Sequence, residues 1–348
     1  MPTRIAVVGA GIIGQLRSQS IRENPETELA GVMDIAMGNA ERAVAGTSGK
    51  ACTDIRQLLD LPNLDAVIVS SPVHHHEEAV VAAFAAGKHV LCEKPLSNTV
   101  ESCVRMLEAG RKGGKKFATG FNHRYYPSMK FLKQVVDNGQ IGTVDHLRVF
   151  GGHDGLHNFR ADWQYKMPES GGGAMMDVGI HMTDLAHYVM GDISEVYGTA
   201  TERIWNVTGS EDNAMAIFKS ASGVSAAYQA TWTEWKGYRF FVEVYGDRGM
   251  VRGYYAPMFN LLVTQDKPGG ARKKTMKFYP EIMVREKLRS WTSTALLSFK
   301  DELADFLKMI RGEQSALADG FAGYRAVEIA HAVRASTISG APVRLTTR

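Results

Sequence analysis

The chain is 348 residues long, 45% hydrophobic and 22% charged, with a formal net charge of +3. That is length for about two globular domains, and the small charge, with no lysine or arginine block beyond a few residues, excludes a surface built for nucleic acid. Cys52, Cys92 and Cys103 form no C-x-x-C pair and an odd set, and no uninterrupted apolar run reaches about 18 residues, so a cytoplasmic protein without a disulfide framework or a membrane partner is expected.

The opening "MPTRIAVVGAG" enters a strand at once, with no charged-then-apolar leader. Arg4 to Val8 reads as a short buried strand and "IIGQLRSQSIREN" as a helix, and between them Gly9, Gly11 and Gly14 complete a G-x-G-x-x-G. Gly9 permits the tight turn, Gly11 lets the backbone approach a pyrophosphate, and Gly14 packs the helix on the strand. The free N–H groups of the helix start, at Ile12 and Ile13, favour phosphate there. An acid about 20 residues further on completes the dinucleotide fingerprint. Asp34, ending "ELAGVMD", supplies it: a carboxylate there is expected to accept from the adenosine ribose hydroxyls and to repel a 2′-phosphate, a plain helix cap being the alternative. Ile35 follows where an NADP site would offer arginine, so NAD is favoured over NADP, and Arg42 on the next helix is the residue that keeps NADP open.

Next, "DAVIVSSP" (65–72), "KHVLCEKP" (88–95) and "KKFATGFN" (115–122) read as strands that alternate with the helices "HHHEEAVVAAFAAG" and "NTVESCVRMLEAGRKGG". Such alternation gives a parallel, doubly wound sheet, whose ligands bind beyond the strand C-termini. Ser71, Pro72, His76, Glu93 and Lys94 are therefore expected at the cofactor edge, with Asn122 and Arg124 beside them facing substrate. Consecutive histidines on a helix diverge by about 100° each, so 74–76 is a cap or a cofactor-contacting loop rather than a metal cluster. Lys94 leaves a buried strand for the ligand crevice on a turn stiffened by Pro95, where an ammonium holds a hydroxyl or a developing alkoxide. A plain surface lysine is the alternative.

After residue 124 the pattern changes. "YPSMKFLKQVVDNGQIG" reads as one amphipathic helix, "TVDHLRVFGG" begins strands, and a polar, aromatic-rich loop runs to 170. "GGGAMMDVGIHMTD" then opens a helix, followed by the strand-like runs "EVYGTATERIW", "NAMAIFKS", "VSAAYQATW", "RFFVEVYGD" and "GMVRGYY", an antiparallel pattern. "ARKKTMK" (271–277) reads as a solvated loop or strand edge, and helices near 295–311 and 318–338 close the chain. On the helix after the glycines, Val178, Met182, Leu185 and Val189 form an apolar stripe, and Asp177, His181, Asp184 and Tyr188 a polar one beside it. Such a helix belongs at a cleft wall, and the i, i+4 spacing lets Asp177 meet His181. A metal site lacks a cysteine or second histidine at ligand spacing, so no metal is expected. A capping Asp177 with a core His181 is a second reading. A relay, with Asp177 orienting His181 as proton acceptor, is preferred because a dinucleotide site demands such an acceptor.

Together "VVGAGIIG", "SSPVHHHEEAVVAAFAAGKHVLCEKPLS", "FNHRYYPSMKFLKQVVDNGQIG" and "GGGAMMDVGIHMTDLAHYVMG" resemble the Gfo/Idh/MocA family, over roughly residues 4–191. The resemblance implies an α/β chain in two parts: a doubly wound NAD-binding Rossmann domain over 1–124, and a substrate-binding and oligomerisation α/β domain over 125–348 with a large open, mostly antiparallel sheet. It implies Lys94, Asp177 and His181 as the catalytic set, a cis bond at Lys94–Pro95, sugars or cyclitols as substrates, and a homodimer or homotetramer paired through the open sheet face. The expected reaction is NAD-dependent oxidation of a secondary hydroxyl, with His181 taking the proton, Asp177 holding the imidazole and Lys94 stabilising the oxygen. Asn122, Arg124, His153, Asp154, His157, Arg160, Trp163, Trp235 and Tyr238 are the candidate substrate contacts. An NAD-recycling glycoside hydrolase and a non-catalytic NAD sensor are the rival readings. Retention of Lys94, Asp177 and His181 together argues against the sensor.

Overall fold

Ile5, Ala6 and Val7 are all wholly buried on β1 (Thr3–Val8), as a strand covered on both faces requires. In the computed structural model, which describes residues 1–155, 162–267 and 269–346, β1 is central to a parallel sheet. α1 (Ile12–Arg22), β2 (Thr27–Met33), α2 (Met37–Val44), β3 (Lys50–Cys52) and α3 (Ile55–Leu59) follow on one side. The chain then crosses to the other side with β4 (Ala66–Val69), α4 (His76–Ala85), β5 (His89–Glu93), α5 (Val100–Gly113) and β6 (Phe117–Gly120). The order β3-β2-β1-β4-β5-β6 reverses direction between β1 and β4, the switch point where such sheets bind ligands.

The second unit begins with α6 (Pro127–Asp137) and β7 (Val144–Gly152). Short helices α7 (Met167–Ser170) and α8 (Ala174–Asp177) precede α9 (Gly179–Met190). The single helix expected after the glycines is therefore interrupted at Val178, whose backbone stays right-handed at φ −80° and ψ −35°. Gly179 is pressed on the sheet: a Cβ there would stand 2.3 Å from the Tyr228 hydroxyl. Strands β8 (Ile193–Thr201), β9 (Asn213–Ser220), β10 (Ser225–Thr231), β11 (Arg239–Gly246), β12 (Gly249–Tyr255), β13 (Phe259–Gln265) and β14 (Arg272–Phe278) come next, then α10 (Pro280–Arg289). With β7 and the terminal β15 (Val343–Arg344) they form a nine-stranded sheet, β14-β13-β12-β11-β7-β10-β9-β8-β15. Every pair is antiparallel except β7 with β10. The basic run 271–277 is the edge strand β14, exposed at all seven residues, and its lysines discourage edge-to-edge pairing.

α6 and α9 pack on one face of this sheet. The other carries a row of rings along one register: Phe150 stacks on Phe241, Phe241 on Tyr254 and Tyr254 on Phe259, which tilts against Phe278. The next row bears Arg148, Glu243 and Arg252, with Arg252 Nε 2.9 Å from the Glu243 carboxylate.

The expected division at 124/125 needs a correction. The first crossing is at Tyr125/Tyr126, but Arg289–Tyr324 returns to the first unit, so each unit is built from two stretches of chain. The reason is α11 (Thr292–Arg311). Its Phe299, Leu303 and Phe306, spaced i, i+4, i+7, are buried, and Leu303 and Phe306 enter the core that holds Ile5, Val7, Ile68 and Leu91. α12 (Gly320–Ser339) starts in the first unit and continues in the second.

Candidate active site

In the first unit the three glycines of the loop divide their tasks. Gly9 has φ +88°, and a Cβ on it would lie 2.5 Å from the Ser71 nitrogen. A Cβ on Gly14 would lie 1.9 Å from the Gly9 carbonyl oxygen. The protein itself demands both. A Cβ on Gly11 would meet no atom within 4 Å, and no side chain caps the α1 N-terminus there. That open cradle over uncapped amides, with Ile12 and Ile13 in the first turn, fits a pyrophosphate.

Asp34 follows β2 and holds the loop from the other side. Its Oδ2 accepts from the Ala10 N–H at 2.7 Å, and its Oδ1 from the Ala36 N–H at 2.9 Å and the Asn39 amide at 3.1 Å. The carboxylate is thus oriented by the backbone and keeps acceptor capacity for ribose hydroxyls. Arg42, the residue that kept NADP open, donates to Asn39 Oδ1 on its own helix.

Ser71 and Pro72 follow β4 and are partly exposed. His76 was expected to touch cofactor, and the structure uses it as a brace: it is buried, with Nε2 2.8 Å from the Ser71 carbonyl and Nδ1 3.0 and 3.1 Å from those of Pro95 and Leu96. Burial depresses its pKa against these carbonyls. It packs between the β4 turn and the Lys94–Pro95 turn, whose peptide is cis, and its one ring proton donates to one of them. Glu93 Oε2 accepts the Lys94 N–H at 3.2 Å, and Oε1 accepts from Arg17 Nε at 2.8 Å. Lys94 itself is half-buried. Asn122 donates to Ser298 at 2.9 Å and Arg124 to the Ala316 carbonyl at 3.3 Å, so both expected substrate contacts are buried and engaged with the returning segment.

In the second unit the glycine run 171–173 answers to Glu211. Gly171 is left-handed at φ +81°, and a Cβ on Gly173 would lie 2.2 Å from the Glu211 carbonyl oxygen. The buried Glu211 carboxylate accepts the N–H groups of Gly173 (3.0 Å) and Met175 (2.8 Å) at the helix start, with burial raising its pKa. Asp177 ends α8. Its Oδ2 accepts from His153 Nε2 at 2.8 Å and from Trp232 Nε1 at 3.1 Å. His153 Nδ1 accepts the Gly155 N–H at 3.0 Å, which places the ring proton on Nε2 and makes His153 the donor. His181 and Asp184 are buried on α9. Tyr238 stacks on His153 at 6.4 Å, and Trp205 donates to the Trp232 carbonyl and tilts against Trp235, which is 64% exposed. Asp154 and Trp163 are half-buried, and His157 and Arg160 lie outside the described residues. Of the expected residues, His153, Asp177, Trp235 and Tyr238 thus belong to one cluster. Trp205, Trp232 and Glu211 were missed. Trp232 ends the quoted run "VSAAYQATW", which reads only as a strand.

Among the described residues no group of three or more metal-ligating side chains comes together and no helix is long and apolar enough to cross a membrane. The cradle and its acid define an NAD-binding oxidoreductase. The chain matches the family described as "Oxidoreductase family, NAD-binding Rossmann fold" over residues 3–121 and the "GFO/IDH/MocA C-terminal domain" over 129–252. It belongs to the Gfo/Idh/MocA family. It is 28% identical to the myo-inositol 2-dehydrogenase of Thermotoga maritima over 98% of each chain. It is 32% identical to the 1,5-anhydro-D-fructose reductase of Ensifer adhaerens over 64% of this chain and 68% of that one. A levoglucosan dehydrogenase solved with NADH and L-sorbose shares the fold, with a TM-score of 0.84 at 22% identity over the whole of both chains.

Proposed function

We propose that this protein is a cytoplasmic NAD-dependent dehydrogenase that oxidises a secondary hydroxyl of a sugar or cyclitol to a ketone, or runs the reverse reaction. The observation that carries this reading is the Asp177 cluster: a fixed carboxylate and histidine bordered by the flat rings of Trp232 and Tyr238, a surface suited to a ring with polar edges and an apolar face. The names of the inositol and anhydrofructose relatives support the substrate class, and three buried free cysteines support the reducing compartment.

In this reading His181 accepts the hydroxyl proton, Asp177 favours the imidazolium that results, and Lys94 stabilises the oxygen as negative charge builds on it. The cofactor, when bound, takes the carbinol hydride. Screening inositols, aldoses, glycosides and acidic sugars for NADH formation tests it. NADH accumulation with at least one polyol, lost by about 10²–10⁴-fold in His181→Ala with NADH binding kept, is the expected result. Sugar release without net NADH would instead make it a hydrolase, and silence across the panel with both NAD and NADP would leave a sensor.

The reading includes a homodimer through the open sheet face. The Phe150, Phe241, Tyr254, Phe259 and Phe278 row offers apolar area, and beside it Glu243 pairs with Arg252 at 2.9 Å and lies 3.8 Å from Arg148. Sedimentation of wild type against Phe241→Glu checks it: the variant is expected to be monomeric.

A further inference from the structure

Arg17 on α1 is wholly buried and faces two carboxylates. Glu93, the last residue of β5, takes its Nε and Nη2, and Glu302 on α11 stands 2.5 Å from its Nη1. The Phe299 ring covers the guanidinium at 3.9 Å. A Cβ on Gly120 would lie 2.7 Å from Arg17 Nη2, so glycine there leaves room for the ion cluster. One fixed cation and two buried acids leave an excess negative charge when both are ionised, in a place where water cannot screen it.

We propose that Arg17, Glu93 and Glu302 form a proton-linked support beneath the Lys94 turn: Arg17 fixes Glu93, Glu93 fixes the Lys94 backbone, and Glu302 gains or loses a proton as the charge bound beyond that turn changes. The inference rests on the NAD site but not on the polyol reaction.

Glu93 stands at the C-terminal end of β5, on the sheet edge where the cofactor binds. The nicotinamide ring is a cation when oxidised and neutral when reduced. An ionised Glu302 makes the triad net negative and favours the oxidised ring, and a protonated Glu302 removes that preference. Burial pushes Glu302 up to about 7, with Arg17 pulling it down and Glu93 adding to the rise, so the switch falls in the neutral range. The charged and titratable groups facing it are Arg17 from α1, Glu93 from β5, and Arg124 and Tyr125 from the turn after β6; Tyr125 also donates to Asp305 on the same helix as Glu302. Arg17 stays charged: burial opposes it, but the two carboxylates together raise it above its ordinary value.

Calorimetric titration of the wild-type protein with NAD⁺ and with NADH, in buffers of different ionisation enthalpy, tests this by binding alone. At pH 7 NAD⁺ is expected to release a fraction of a proton and NADH none. The ratio of the Kd for NAD⁺ to that for NADH is expected to fall roughly threefold or more between pH 6 and 8. Glu302→Gln keeps the shape and should flatten that ratio. Equal proton release with both forms in wild type, or a slope that survives Glu302→Gln, overturns the proposal. The wild-type measurement decides alone if the variant does not fold, and a protein that binds NAD⁺ as described yet oxidises no polyol would overturn the dehydrogenase reading only.

Discussion

Asp177 Oδ2 receives two donors at once, His153 Nε2 at 2.8 Å and Trp232 Nε1 at 3.1 Å. The Asp177 side chain is 24% exposed, so the pair is partly screened, and each bond to a charged acceptor is worth the low end of about 1.5–3 kcal/mol. His153→Ala should lower turnover about tenfold with the NADH Kd unchanged, and His153→Gln, which keeps an N–H donor, should recover part of it. Steady-state kinetics beside fluorescence titration of NADH checks this; a lost NADH affinity would mean His153 serves the fold instead.

The glycine loop offers a contrast between two alanine variants. Gly14→Ala drives a methyl to 1.9 Å from the Gly9 carbonyl oxygen and should destabilise by about 1–3 kcal/mol or more. Gly11→Ala meets no protein atom within 4 Å and should melt like wild type, while its NADH affinity falls about tenfold or more as the methyl enters the phosphate cradle. Thermal melts with and without NADH separate the two effects.

Cofactor choice should turn on Asp34. Asp34→Ser keeps an acceptor for the Ala10 or Ala36 N–H groups and removes the charge that repels a 2′-phosphate. The ratio of kcat/KM for NAD to that for NADP should drop by about tenfold or more. An unchanged ratio would place the discrimination elsewhere, for instance in Arg42.

His123 gives stability a pH dependence. Burial, then the charge of Lys94, hold its folded pKa well below the ordinary value. Below about pH 6.5 the unfolded chain binds the proton and the folded chain does not, so this contribution is complete above that pH and is lost as pH falls through it. Glu211 and Glu302, raised on folding, act in the opposite sense between their unfolded and folded values. The diagnostic quantity is therefore a difference: the drop in Tm between pH 7.5 and 5.5 should be smaller in His123→Asn than in wild type. Equal drops would show that His123 does not carry the dependence.

Residues near one another in the chain were legible as a sequence. Strand, glycine turn and helix from Arg4 to Arg22 form within a few residues of one another, and side-chain period and turn chemistry are local properties. The same holds for Asp34 after β2 and for Lys94 at the end of β5, since strand direction alone carries both to the ligand edge of the sheet. Tertiary packing decided the rest. It sent α11 back to the first unit because Leu303 and Phe306 find their apolar partners there, and so set Glu302 against Arg17. It gave Asp177 to His153 and Trp232 through the pairing of β7 with β10, and it spent His76 on three carbonyls. A buried polar group must find its partner wherever the fold brings one, and separation along the chain carries no record of which partner that is.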